Sequence, residues 1–253
     1  DAAAATYRKF GFTLTPRGVH EGKGTGNHCI MFGNTYVELL GIVDETGAEG
    51  RLAQRVNARG EGGIAVAYGA DDADKTCAAL RAAGIAAEDP NDLSRPLDLD
   101  GKREMVRFRN VMMPDLKLPE TMQFVCTHLT PELTRARREW QLHPSGATGV
   151  AAVAVATADP AAAEHEFEAL FGNRLSNTSI MAAQRADIEA KLGPGALDGA
   201  PAQGVVALTL TVNEVDAVGA MLDMGRIPHR ETKAGIVVPA NAAHGVALVF
   251  AED

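Results

Sequence analysis

Hydrophobic positions along this chain alternate with polar ones in short runs, and the runs break at intervals into Ala-rich stretches of longer period. Period two marks strands, and a period near 3.6 marks helices. Three segments share one order: "GGIAVAYGADDADKTCAALRAAGI" (62–85), "GVAAVAVATADPAAAEHEFEALFGNRL" (149–175) and "GVVALTLTVNEVDAVGAMLDMGRI" (204–227). Each gives a β-rich run, an acidic residue, a helix, then Gly. An acid suits the unpaired N–H groups at a helix start, and Gly suits the left-handed stop.

The opening "DAAAATYRKFGFTLTPRG" repeats the unit without its strand, so the pattern predicts a strand ahead of Asp1. After each helix the chain returns to strands. "GFTLTP", "NHCIMFG" and "TYVELLGIV" follow the first helix, and "PLDL", "KREMVRFRNVMM" and "MQFVCTHL" the second. "PHRETK", "GIVVP" and "GVALVF" follow the fourth. The third unit is irregular: "LSNTSIMA" reads as a strand and "AQRADIEAKLG" as an extra helix. The repeating unit is β-α-β-β-β, four times over, an α+β class. Pro144, Ser145 and Gly146 mark a linker, dividing the chain into halves at 1–142 and 147–253.

Composition narrows the function. Of 253 residues, 46% are hydrophobic and 23% charged, ordinary for a chain with a sizeable core. A formal net charge of −9 argues against nucleic acid or an anionic membrane as partner. The basic run "RARRE" (135–139) reads as a solvated helix face. No apolar stretch reaches the roughly 20 residues of a membrane span. Three cysteines, Cys29, Cys77 and Cys126, form no CxxC pair and read as reduced thiols, the expectation for a cytoplasmic protein.

Glu38 interrupts an otherwise apolar strand. In "NTYVELLGIV" Tyr36, Glu38 and Leu40 share a face, so the acid either points to solvent or into a site. In "QFVCTHL" Phe124, Cys126 and His128 share a face in the same way, although "HLTPE" also suits a helix start capped by Thr130. Both faces are otherwise apolar or aromatic, as a half-buried cavity wall would be. His28 sits on the strand before that of Glu38, either near substrate or as a partly exposed strand histidine. His20 lies in a Gly-rich loop, "RGVHEGKGTGN", that is either a lid or plain surface. His143 reads as structural with Trp140 packed at the join, His165 as a helix-surface residue, and His229 and His244 as turn residues.

Four such units, with "GTGNHCIMFGNTYVELLGIV" after the first helix and "FVCTHLTPEL" closing the second unit, resemble the glyoxalase-like branch of the vicinal-oxygen-chelate superfamily. The resemblance implies paired units forming cupped mixed β-sheets, helices outside, and a site in the concavity. It also implies a divalent ion (Zn, Ni, Mn or Fe) with Glu38 and His128 as matching ligands. Glu38 is then ligand or base, and His28, Tyr36 and Phe124 are the substrate contacts. The expected activity is a metal-dependent lyase or isomerase acting on a vicinal-oxygen substrate. The alternatives are a metal-free small-molecule binding protein and an extradiol-type dioxygenase. The ligand set is short: "GGIAVAY" carries no donor, and Glu252 falls just beyond "GVALVF". A third donor would come from a preceding strand or a neighbouring chain. Monomer and homodimer both fit, and the second half, poor in His and strand acids, reads as a degenerate structural half.

Overall fold

The computed structural model of the protein describes residues 1–113, 118, 120–171 and 178–252. The first unit runs α1 (Ala2–Lys9), β1 (Gly18–His20), β2 (Thr25–Phe32) and β3 (Thr35–Ile42), followed by α2 (Arg51–Arg59). The second is β4 (Ala65–Gly69), α3 (Ala73–Ala82), β5 (Asn91–Leu99), β6 (Lys102–Met112) and β7 (Met122–His128), with a single helical turn, α4 (Pro131–Thr134), after it. The third holds β8 (Ala147–Ala156), α5 (Pro160–Phe171), β9 (Ser179–Ala183) and α6 (Arg185–Leu192). The fourth is β10 (Gly204–Val212), α7 (Val215–Met224), β11 (Arg230–Thr232), β12 (Gly235–Val238) and β13 (Ala247–Ala251).

The strands form three sheets, ordered β1-β2-β3, β4-β7-β6-β5 and β11-β12-β13-β10-β8-β9. In units two and four the strand before the helix pairs in parallel with the unit's last strand, β4 with β7 and β10 with β13. That is the β-α-β-β-β module, and the fold is α+β with cupped sheets. Units three and four join through the antiparallel pair β8–β10. Among the described residues unit one has no parallel partner for β3, which is therefore a sheet edge, as is β4. On the far side β1 lies against β5.

The acidic helix starts act as read at two positions. Asp72 accepts from Lys75 N–H at 3.0 Å and Asp159 from Ala162 N–H at 3.1 Å. At α7 the acid comes from elsewhere: Glu252 Oε1 accepts from Val215 N–H at 2.8 Å, so Glu252 caps a helix.

Four expectations are corrected. "GFTLTP" is not a strand; Thr15 reaches β2 through one backbone bond to Cys29 O, and the strand starts after Pro16, at Gly18. Thr130 does not cap its turn, because its hydroxyl accepts from Arg107 N–H instead. The "RARRE" run is solvated at Arg135 and Arg138, but its first three residues, 135–137, lie between helical turns. Helices are not all outside. α5 and α7 pack on one face of the six-stranded sheet, through Phe167 with Val155 and through Val218 and Leu222 with Phe250. The opposite face is covered by α6 and the turn beyond it, with Ile188, Leu192, Ala196 and Leu197 buried against Ala207, Ala247 and Val249.

The largest core is shared by both halves. Tyr7, Phe10 and Phe12, with Ile30 and Phe32 of β2, bury against Leu210, Ile236, Leu248 and Phe250 of the six-stranded sheet. Val37 and Leu39 of β3 join from the rim of the same cluster. The back of β2–β3 thus rests on the C-terminal half, and its front faces the other N-terminal sheet.

Candidate functional site

Register decides which side chains face that front. The β2–β3 hairpin pairs Cys29 with Glu38, Asn27 with Leu40 and Met31 with Tyr36, and directly opposed residues share a face. Across the cup, Arg95 pairs with Val106, Leu97 with Glu104, and Phe108 with both Leu93 and His128. The two faces meet in a cluster of Cys29, Met31, Leu97, Val106 and Trp140, edged by Tyr36, Leu99 and Phe108. In the second half the equivalent face is filled by α6, whereas in the N-terminal half the two walls meet through their own side chains, with Glu38 exposed on the edge strand.

Glu38 points into this cup rather than away from it. It is exposed there, on the edge strand, and its Oε1 accepts from Asn27 Nδ2 at 2.6 Å. Cys29 and Cys126 both lie close enough for its charge to act on them. Burial first, and Glu38 second, push each thiol up to about 12. Both thiols therefore stay protonated at neutral pH, a form that is a poor nucleophile. The Tyr36 phenol is likewise held well above its ordinary range, chiefly by burial, and keeps its proton as a hydrogen-bond donor.

His128 sits farther along. Its ring meets Tyr36 edge-on at 5.8 Å and Phe108 at 4.9 Å, and its Nε2 lies 3.4 Å from the Tyr36 hydroxyl. Burial lowers its pKa, aided by the charges of Arg135 and Arg95, so the ring is neutral at pH 7. Phe124 is on the same face of β7, opposite Met112 and beside Ala67. His28 is on the other face: it pairs with Leu39, and its Nδ1–H donates to Thr15 O at 2.8 Å. Strand alternation forbids it from reaching the cup. The structure brings Glu38, Tyr36, Phe124 and His128 onto the cup's inner walls and leaves His28 outside.

Two residues of the cup, Asn27 and Arg95, escaped the sequence reading, and a third, His20, has a different place from the one expected. His20 is not in a loop but on β1, opposite Thr25, whose hydroxyl lies 2.9 Å from its Nδ1. Burial lowers its pKa, Glu38 opposes the shift, and Arg95 and Lys23 add to it. Asn27 and Arg95 are each 6% exposed. For Arg95 a signal existed: Leu93, Arg95, Leu97 and Leu99 occupy the apolar phase of β5, alternating with Asp92, Ser94, Pro96 and Asp98. An arginine in that phase must point into the cup.

The donor set does not suit a divalent ion. Among the described residues no group of three or more His, Cys, Asp or Glu side chains converges. Glu38 and His128 have different neighbours, the carboxylate an amide and the imidazole a phenol. The charge of Arg95 acts on Cys29, His20 and His128 alike and would oppose a cation here. Glu252 is occupied at α7. The surface hollows beside Pro160 and Lys191, and beside Thr157 and Arg185, lie in the C-terminal half, away from the acid. Among the described residues no helix is long and apolar enough to cross a membrane.

Comparison with known proteins fits this arrangement. A family model described as a glyoxalase-like domain matches residues 1–171. A hypothetical protein from Staphylococcus aureus superposes with a TM-score of 0.64 at 12% identity, over 96% of this chain and 91% of that one. A mutant of 4-hydroxymandelate synthase from Streptomyces coelicolor superposes with a TM-score of 0.57 at 15% identity, over 92% and 74%. At these identities the likeness establishes the fold alone. No curated protein matches the chain in sequence.

Proposed function

The chain belongs to the glyoxalase-like domain family, and on that footing we propose that its N-terminal cup takes up a small vicinal-oxygen molecule on which Glu38 moves a carbon-bound proton, as a lyase or isomerase does. The observation that carries the reading is the Glu38 carboxylate, exposed on the inner face of the cup beside its apolar cluster and fixed through Oε1 by Asn27. Oε2 makes no hydrogen bond to a described residue. In the proposed step Oε2 takes a proton from the carbon beside a substrate carbonyl. The C–H electron pair forms a carbon–carbon double bond, and the carbonyl π pair moves onto oxygen, giving an enolate. The protonated Tyr36 hydroxyl, on the same face, is the candidate donor to that oxygen. Returning the proton to the same or the neighbouring carbon completes an isomerisation; expelling a group from the next carbon makes the step a lyase reaction. No step is routed through a metal, since Glu38 and His128 do not form a donor set.

Proton NMR in deuterium oxide reads the step with acetoin and hydroxyacetone as probes. The native protein is expected to exchange the carbon-bound proton, and Glu38→Gln to slow exchange by about 100-fold or more. Equal rates in the two proteins would overturn the reading. The apolar floor of Met31, Leu97, Phe108 and Trp140 favours one other reading, a protein that holds a hydrophobic or aromatic molecule without turnover. Saturable binding with no exchange would select it.

A further inference from the structure

Arg95 is buried in the cup with no ion pair to any described carboxylate, and its Nη1 has no hydrogen-bond partner. A guanidinium nitrogen left so is costly, because burial strips its water and no group of a described residue replaces it. Asn27 Oδ1 is a second buried atom without a partner. Its orientation is fixed, since Nδ2 must face the Glu38 carboxylate to donate to it. The two orphans are neighbours: a Cβ on Gly18 would run into Asn27 Oδ1 and lie 2.9 Å from Arg95 Nη1. Glycine at position 18 lets the β1 backbone come up against both atoms. The cup therefore presents a cationic donor and a neutral acceptor side by side, next to the acid.

We propose that this pair is the recognition subsite for a 2-hydroxycarboxylate or its enol, whose carboxylate accepts from Arg95 Nη1 and whose hydroxyl donates to Asn27 Oδ1. The inference rests on the reading of Glu38 as the proton-moving group and narrows its substrate class. A 2-hydroxycarboxylate carries both complementary groups on adjacent carbons, and the carbon bearing its hydroxyl carries the proton that the neighbouring Glu38 would take. A simple carboxylate leaves Asn27 Oδ1 unpaired, and a diol leaves the guanidinium uncompensated. His20, neutral and on the strand beside Asn27, closes the polar end, and the floor around Phe108 and Trp140 suits an aromatic or alkyl substituent.

Calorimetric titration with mandelate, phenylacetate and 1-phenylethane-1,2-diol tests the subsite. Mandelate is expected to bind, phenylacetate about 10-fold more weakly for the lost hydrogen bond, and the diol at least about 30-fold more weakly. Arg95→Met should lose mandelate by a similar factor while its melting temperature holds or rises, because an apolar side chain of like volume replaces an unpaired buried charge. Gly18→Ala, whose methyl would push Asn27 Oδ1 and Arg95 Nη1 out of place, should also lose mandelate. Equal affinity for all three compounds, or native affinity in Arg95→Met, would overturn the subsite. Mandelate binding through Arg95 without any proton exchange removes the role of Glu38 and keeps the subsite. Exchange on hydroxyacetone that depends on Glu38, without mandelate selectivity, does the reverse.

Discussion

At the scale of single residues, hydrogen-bond partners fix charge states that the sequence could only suggest. His143 is the clearest case. Its Nε2–H donates to Met31 O at 3.0 Å and its Nδ1 accepts from Thr13 N–H at 3.1 Å, which only the neutral ring can do. Phe12 and Phe32 stand edge-on to it at 5.8 and 4.8 Å. Burial lowers its pKa below the ordinary 6.5, and the bond to Met31 opposes this only in part. The unfolded chain therefore takes up the proton first as pH falls. Stability is level above about pH 6.5 and declines below it, with His20 and His128 adding in the same direction. Urea melts between about pH 7.5 and 5.5 should show that decline, and His143→Gln should make it shallower. An unchanged slope would mean that His143 does not titrate on unfolding. The same chemistry explains what the sequence offered and withheld. Alternation alone put Glu38 on the face of Tyr36. His28, on the strand beside that of Glu38, suggested a substrate contact, but the two-residue period sends positions 27 and 28 to opposite faces and brings Asn27 to the cup. Arg95 was legible from its apolar phase in β5, and its missing partners were not, because pairing across sheets depends on tertiary contact.

At the scale of elements, the contrast between the two cups is written in side-chain size. The inner face of the N-terminal cup carries Met31, Tyr36, Leu97 and Phe108, which meet across the gap and leave polar groups at its edge. The corresponding face of the six-stranded sheet carries Ala154, Ala156, Ala207 and Ala247, and α6 lies down on it. Small residues let a helix approach a sheet closely, so this face is closed by packing and not by collapse of the strands. The extra helix was legible from its period, but its destination was not, since a helix in the cup and one outside show the same apolar stripe. Leu197 is fully buried in that plug. Leu197→Ala should cost about 2–5 kcal/mol in urea unfolding, as other buried leucines do on truncation. Mandelate affinity should not change, because the plug and the Arg95 subsite occupy different cups. A large loss of stability together with a loss of binding would instead mean that the C-terminal filling sets the shape of the N-terminal cup.

At the scale of the whole molecule, one core cluster takes residues from both sides of the linker at Pro144–Gly146. The wall that carries Glu38 has its back buried against the other half, Ile30 and Phe32 against Leu210, Leu248 and Phe250. His143, beside the linker, is pinned to Thr13 and Met31 from the same wall. Cutting the chain after residue 142 would expose Tyr7, Phe10, Phe12, Ile30 and Phe32 together, a patch of the kind that soluble monomers do not carry. The isolated stretch 1–142 should therefore fail to give a dispersed proton–nitrogen spectrum and should bind a hydrophobic dye, while the intact chain unfolds in one cooperative transition with coincident fluorescence and circular-dichroism midpoints. Trp140 reports from inside the N-terminal cup, so its fluorescence follows the N-terminal half while circular dichroism follows both. Two separated midpoints, or a well-folded 1–142, would show that each half stands alone. In the shared-core arrangement the filled half has a definite structural task. It holds β2 and β3 from behind, and with them the register that sets Glu38, Asn27 and Cys29 on one face of the cup.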